Sequence, residues 1–118
     1  MEYQELCDYL MAKKGTTKDM PFDTDSLCFR VGNKIFAIMS WQDDPIAISL
    51  KADPVEAVIL RQEYPGITPG YHLNKRHWNT IVIDKHIPDG EIRSMIDHSY
   101  ELVFKGLRKD DQQHIRDL

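Results

Sequence analysis

Cysteine is scarce in this chain, and the two present, Cys7 and Cys28, lack any CxxC spacing, which removes the disulfide frameworks and zinc sites that cysteine patterns announce. Both sit among apolar neighbours, so free buried thiols are expected. No apolar run approaches the roughly 18 residues of a membrane span, and no basic start precedes a leader-like hydrophobic stretch. The expected setting is the reducing cytoplasm, with no membrane. Also missing are a GxSxG elbow, a glycine-rich phosphate cradle and a cysteine beside an activating histidine. The acid pairs Asp43-Asp44 and Asp110-Asp111 read as solvated loop surface. These absences lead to the expectation of a non-enzymatic protein with no catalytic residues, no cofactor and no metal. Internal repeats and low-complexity stretches are absent too.

Positive charge is in deficit overall. Fifteen Lys and Arg stand against 19 Asp and Glu, a formal net charge of -4. That excludes a surface attractive to nucleic acid everywhere, because polyanion binding needs a positive field somewhere. The distribution is uneven, however. Residues 71–86 hold Lys75, Arg76 and Lys85 against the single acid Asp84, together with His72, His77 and His86. This window is the first place to look for function.

What is present suffices for one core: 118 residues with 42% hydrophobic content predict a single domain over residues 1–118. Tyr3, Leu6, Cys7, Leu10 and Met11 recur at helical spacing, and Gly15 ends that helix. Leu27 to Val31 and Ile35 to Met39, joined by Gly32-Asn33, predict a β-hairpin. Ile46, Ile48 and Leu50 alternate as a third strand. Asp53-Pro54 is a helix start with Asp53 as N-cap. That helix runs to about Tyr64, with Val55, Ile59 and Leu60 on its inner face. Ile67 to Leu73 reads as irregular or extended, and the β-branched run Thr80 to Ile83 as a strand. Ile92, Met95, Ile96, Ser99, Leu102 and Val103 mark the longest helix, closed by Gly106. The tail from Lys109 to Leu118 reads as a short helix anchored by Ile115 and Leu118. This order does not alternate as a doubly wound sheet would, so the expected class is α+β, an antiparallel sheet with helices packed against it.

The segment Pro69-Gly70-Tyr71-His72-Leu73-Asn74-Lys75-Arg76-His77-Trp78-Asn79-Thr80 concentrates cations, amides and two aromatics. Lys75 and Arg76 suit phosphates, Asn74 and Asn79 suit base edges, and Trp78 or Tyr71 suits stacking on a base. The competing structural account makes the aromatics core residues, the asparagines partners of loop backbone, and Lys75-Arg76 a solvated turn. His98 and Tyr100 are expected to pack or cap. The five-residue separation of His72 and His77 fits neither a helical ligand pair nor a zincin motif.

That segment, with Pro21-Phe22, Phe29 to Ala37, Leu50 to Pro54 and Ile96-Asp97-His98-Ser99-Tyr100-Glu101-Leu102-Val103, resembles the MmcQ/YjbR family of small bacterial proteins from the first helix to about Leu107. The resemblance implies a CyaY-like (frataxin-type) α+β fold whose hairpins form a double wing, and with it a DNA-binding module. Carried over, the first wing is the hairpin at Gly32, Asn33 and Lys34, and the loop at Asn74 to Asn79 lies at or near the second. The nucleic-acid-binding candidates are therefore Lys34, His72, Asn74, Lys75, Arg76, His77, Trp78 and Asn79, with double-stranded DNA as the partner. Two alternatives stand beside this. One is an adaptor whose basic loop meets an acidic protein, with Trp41 or Trp78 as anchor. The other is frataxin-like metal handling by Glu2, Glu5, Asp8, Asp19, Asp23 or Asp25.

Overall fold

The computed structural model describes residues 1–70 and 73–118. Its elements are α1 (Tyr3–Met11), β1 (Thr16–Asp19), β2 (Ser26–Val31), β3 (Lys34–Ser40), β4 (Ala47–Lys51), α2 (Pro54–Glu63), β5 (Ile67–Pro69), β6 (Trp78–Val82), α3 (Asp89–Lys105) and α4 (Lys109–Arg116). The strands form one sheet in the order β1-β2-β3-β4-β6-β5, every neighbouring pair antiparallel. The α+β class with an antiparallel sheet is the architecture expected. Strand β1 was not anticipated. It is an edge strand of polar residues, Thr16 to Asp19, mostly exposed, so it carries no apolar alternation to announce it.

Because successive strand residues point to opposite faces, the pairing register sorts the sheet into rows. Leu27, Met39, Ile48, Ile81 and Ile67 line up across five strands, as do Phe29, Ala37, Leu50, Asn79 and Pro69. These rows face the helices, and Leu50, Asn79 and Ile81 share a cavity with residues of both α2 and α3. The intervening row, Cys28, Ile38, Ser49, Thr80 and Thr68, lies on the other face. There the Ser49 and Thr80 hydroxyls meet at 2.9 Å. Both cysteines are free and buried, as expected.

The tight hairpin turn is confirmed by Gly32 and Asn33, at φ 54° and 67°, torsions that Gly and Asn tolerate best. Its tip is not free in solvent. A Cβ on Gly32 would fall 2.7 Å from Leu107 Cδ1, so the turn rests on the segment that follows α3. Asp53 caps α2 as expected, its carboxylate accepting from the N–H groups of Val55 at 3.0 Å and Glu56 at 3.4 Å. The inner face of α2 differs from expectation. Ala57 and Leu60 are buried, whereas Val55, Val58 and Ile59 stand 69%, 47% and 47% exposed. The reason is Arg61, which turns inward towards β6 and sets the helix rotation. In the tail, Ile115 is buried but Leu118 is exposed.

Helix α3 is fixed by consecutive residues that each hold a different element. Asp97 accepts from the Tyr9 hydroxyl at 2.6 Å and pairs with Lys13. His98 Nε2 accepts from the Asp53 N–H at 3.3 Å. Tyr100 meets Phe36 edge to face and donates to the Lys14 carbonyl at 2.6 Å. His98 and Tyr100 therefore cap and pack, in keeping with the sequence reading.

Candidate nucleic-acid interface

Strand β6 begins at Trp78, two residues earlier than the β-branched run suggested, and this decides which side chains of the loop face outward. Alternation places Asn79 in the core row and Trp78 on the opposite face, directly across from Lys51 on β4. Asn79 is 1% exposed. Its Oδ1 accepts from Arg61 Nε at 2.7 Å and its amide donates to the Ala57 carbonyl at 3.3 Å. With both ends of its amide spent inside the protein, Asn79 has no group left for a base edge. This corrects its place among the candidate contacts.

Arg61, which the sequence did not single out, organises the loop. Besides Asn79 it donates to the carbonyls of Lys75 and Trp78. Asn74 is also occupied locally: its carbonyl accepts from the N–H groups of His77 and Trp78, and its Oδ1 from the Arg76 N–H at 2.9 Å. That is the asparagine turn expected on structural grounds. The Lys75 ammonium donates to the Gly70 carbonyl at 3.0 Å. Gly70 in turn must be glycine, since a Cβ there would sit 2.8 Å from Trp78 Cβ. Arg76 is exposed and His77 half-buried. Among the described residues, the side chains of Arg76 and His77 have no hydrogen-bond partner, and neither Lys75 nor Arg76 forms an ion pair. His72 and Tyr71 lie outside the described residues.

A cleft of about 530 Å³ opens where the β2–β3 turn, the end of β4 and the start of β6 meet the last turn of α3. It is lined by Arg30, Asn33, Lys34, Lys51 and Trp78 over an apolar floor that includes Ile35, Leu102 and Val103. Among the described residues no carboxylate lines it. Arg30 is held by Asp19 at 3.1 Å and by the Asn33 carbonyl at 3.3 Å. Lys34 and Lys51 have no ion-pair partner among the described residues. Arg30 is the cation of this cleft that sequence reading did not single out, and Lys34 and Trp78 are among the candidates it named. The Lys75-Arg76 turn leads directly into Trp78, so the two cationic segments adjoin. A second cavity, about 490 Å³ between α2 and α3, carries Asp53, Glu56 and Glu91 on its walls and so offers an anion no comparable field.

The geometry does not gather a metal set. Among the described residues no three His, Cys, Asp or Glu side chains cluster as ligands would. Five of the six acids named for metal handling serve locally. Glu2 and Glu5 form a capping box, Asp8 accepts from Gln4, Asp19 pairs with Arg30, and Asp23 accepts from the Asp25 and Ser26 N–H groups. Among the described residues no helix is long and apolar enough to cross a membrane.

Residues 11–102 match the family described as YjbR. The chain belongs to the YjbR family. Among YjbR relatives, the uncharacterised protein YjbR of Escherichia coli K12 is 36% identical over 101 residues, 86% of this chain and 86% of that protein. The uncharacterised protein YbdF of Escherichia coli O157:H7 is 38% identical over 96 residues, 81% and 79% of the two chains. The crystal structure of Deinococcus radiodurans DR2400, a DUF419 domain, superposes with a TM-score of 0.91 at 33% identity, covering 97% of this chain and 87% of that one. A Pseudomonas syringae protein solved by crystallography superposes with a TM-score of 0.74 at 32% identity, covering 86% and 98%. The YjbR assignment made from the loop and α3 strings is thereby established, and the fold is shared with these structures.

Proposed function

We propose that this YjbR-family chain is a non-catalytic cytoplasmic DNA-binding module that grips phosphates with the hairpin at Lys34 and the turn at Lys75 and Arg76. The observation that carries this reading is the cleft beside the hairpin, which collects Lys34, Lys51 and Trp78 with no carboxylate among the described residues on its walls. On a molecule of net charge -4, cations left without ion pairs on one surface form the local positive field that a polyanion needs. The exposed cations give affinity; the base-facing role expected of Asn74 and Asn79 is dropped, because both amides hold the loop.

Salt dependence tests it. With duplex DNA titrated between low and physiological salt, contact with two to four phosphates gives a slope of log affinity on log salt of about -2 to -4. Lys34→Ala/Lys51→Ala and Lys75→Ala/Arg76→Ala should each flatten that slope by about 2. A slope untouched by both double variants would remove this surface from consideration. One observation favours a second reading, contact with another protein: the exposed stripe of Val55, Val58 and Ile59 along α2.

A further inference from the structure

The two tryptophans are used differently. Trp41 donates its indole N–H to the Thr24 carbonyl at 3.1 Å and lies against Tyr3 with ring centroids 5.8 Å apart. Trp78 is half-buried, and among the described residues its N–H has no hydrogen-bond partner and its ring meets no other ring. An indole with an idle N–H, placed by strand alternation opposite Lys51 and lining a cleft with Lys34, is arranged to receive a ligand that brings its own flat ring and negative charge. The Asn33 amide on the same wall is also without a partner among the described residues.

A nucleotide has that chemistry. Its base presents a π-face that stacks on an aromatic side chain whatever the sequence. Its phosphate suits the two lysines, and its base edge suits the asparagine amide. The cleft, at about 530 Å³, falls within the span of about 300–1,000 Å³ typical of sites for small organic groups. Inside a duplex each base is already sandwiched between its neighbours and cannot offer a face to Trp78. We infer that the cleft seats one unpaired DNA nucleotide, its base stacked on Trp78 and its phosphate between Lys34 and Lys51. This rests on the DNA-binding reading and adds a preference to it: single strands and duplex ends with an overhang over blunt duplex.

The test uses Trp41→Phe, which leaves Trp78 as the sole indole of the two in the chain. Its fluorescence and affinity are measured against a single strand, a blunt duplex, and the same duplex with a short overhang. Stacking predicts quenching of Trp78 by the single strand and the overhang but not by the blunt duplex, with affinities about five- to one-hundred-fold tighter for the first two. Trp78→Leu should erase that preference while salt-dependent binding to blunt duplex survives. Should Trp78→Leu fail to fold, the quenching contrast in Trp41→Phe decides alone. Equal affinity for all three DNAs with Trp78 emission unmoved overturns the inference and leaves the DNA-binding reading standing. Absence of binding to any of the three overturns both.

Discussion

Replacing Ser99 with alanine removes one oxygen, and the structure specifies what that oxygen does. Ala37 on β3 pairs with Leu50 on β4, so an unbroken ladder would next join Phe36 to Lys51. Ser99 Oγ occupies that place instead: it donates to the Phe36 carbonyl at 2.6 Å and accepts from the Lys51 N–H at 2.9 Å. The serine is 0% exposed, so water cannot substitute for it. Ser99→Ala strands a carbonyl and an N–H together, and each unsatisfied group costs about 1–3 kcal/mol. The expected loss is about 2–4 kcal/mol, a large share of the roughly 5–15 kcal/mol that holds a domain folded. Urea denaturation should show the midpoint falling by about 1–2 M with the slope unchanged. Ser94→Ala, an exposed serine of the same helix, is the control and should stay within about 0.5 kcal/mol of the parent. If Ser99→Ala also stayed within that margin, β3 and β4 would have closed directly on each other and the bridging role assigned to the hydroxyl would be wrong.

Asn79→Ala should cost about 2–4 kcal/mol in the same assay, because it leaves the part-buried Arg61 Nε–H without its acceptor and takes the amide donor from the Ala57 carbonyl; a loss below about 1 kcal/mol would contradict the inward role of the amide. Gly32→Ala should destabilise by about 1–3 kcal/mol through its positive φ and its approach to Leu107, and a neutral result would mean the hairpin tip rearranges freely. Burial raises the Cys28 thiol and the Tyr9 and Tyr100 phenols above their ordinary pKa values, and the Asp97 carboxylate raises Tyr9 further. A raised acid of this kind favours its protonated form in the folded state. Its contribution is therefore complete below the unfolded pKa and is lost as pH climbs through the folded value, so unfolding free energy should hold to about pH 9 and fall above it. Stability that rose through that window would reverse the sign of the argument.

The helices were legible because each carries local punctuation. Asp53-Pro54 starts α2, Gly106 closes α3, and the apolar spacing of α3 matches its buried face of Ile92, Met95, Ile96, Ser99 and Val103. The hairpin was legible from Gly32-Asn33 set between two short apolar runs. Strand β1 was not, since an edge strand of Thr, Thr, Lys and Asp leaves no apolar trace. The rotation of α2 was not either: Val55 and Ile59 outrank Ala57 in hydrophobicity, and only the tertiary bonds of Arg61 to β6 put the smaller residue inside. The onset of β6 escaped because Trp78 and Asn79 look like loop residues by composition, although their backbones already pair with Lys51 and Leu50.

That two-residue difference governs the functional reading. A dense loop of cations, amides and aromatics invites the view that all its members act together on one ligand. Strand alternation instead divides them, sending Asn79 into the core and Trp78 to the surface, while Asn74 and Gly70 are consumed in shaping the turn. The partners that Trp78 then acquires come from elsewhere in the chain. Lys34 lies at the tip of the β2–β3 hairpin and Lys51 at the end of β4; antiparallel pairing sets Lys51 beside Trp78, and Lys34 lines the same cleft. A window of consecutive residues cannot display this, because the cations that line the cleft come from different strands. The same reasoning reconciles the acidic total with a cationic surface. Asp19 is used on Arg30 at the cleft itself and Asp97 on Lys13 further off, whereas Lys34 and Lys51 keep no ion-pair partner among the described residues, so the unpaired charge lining the cleft is positive.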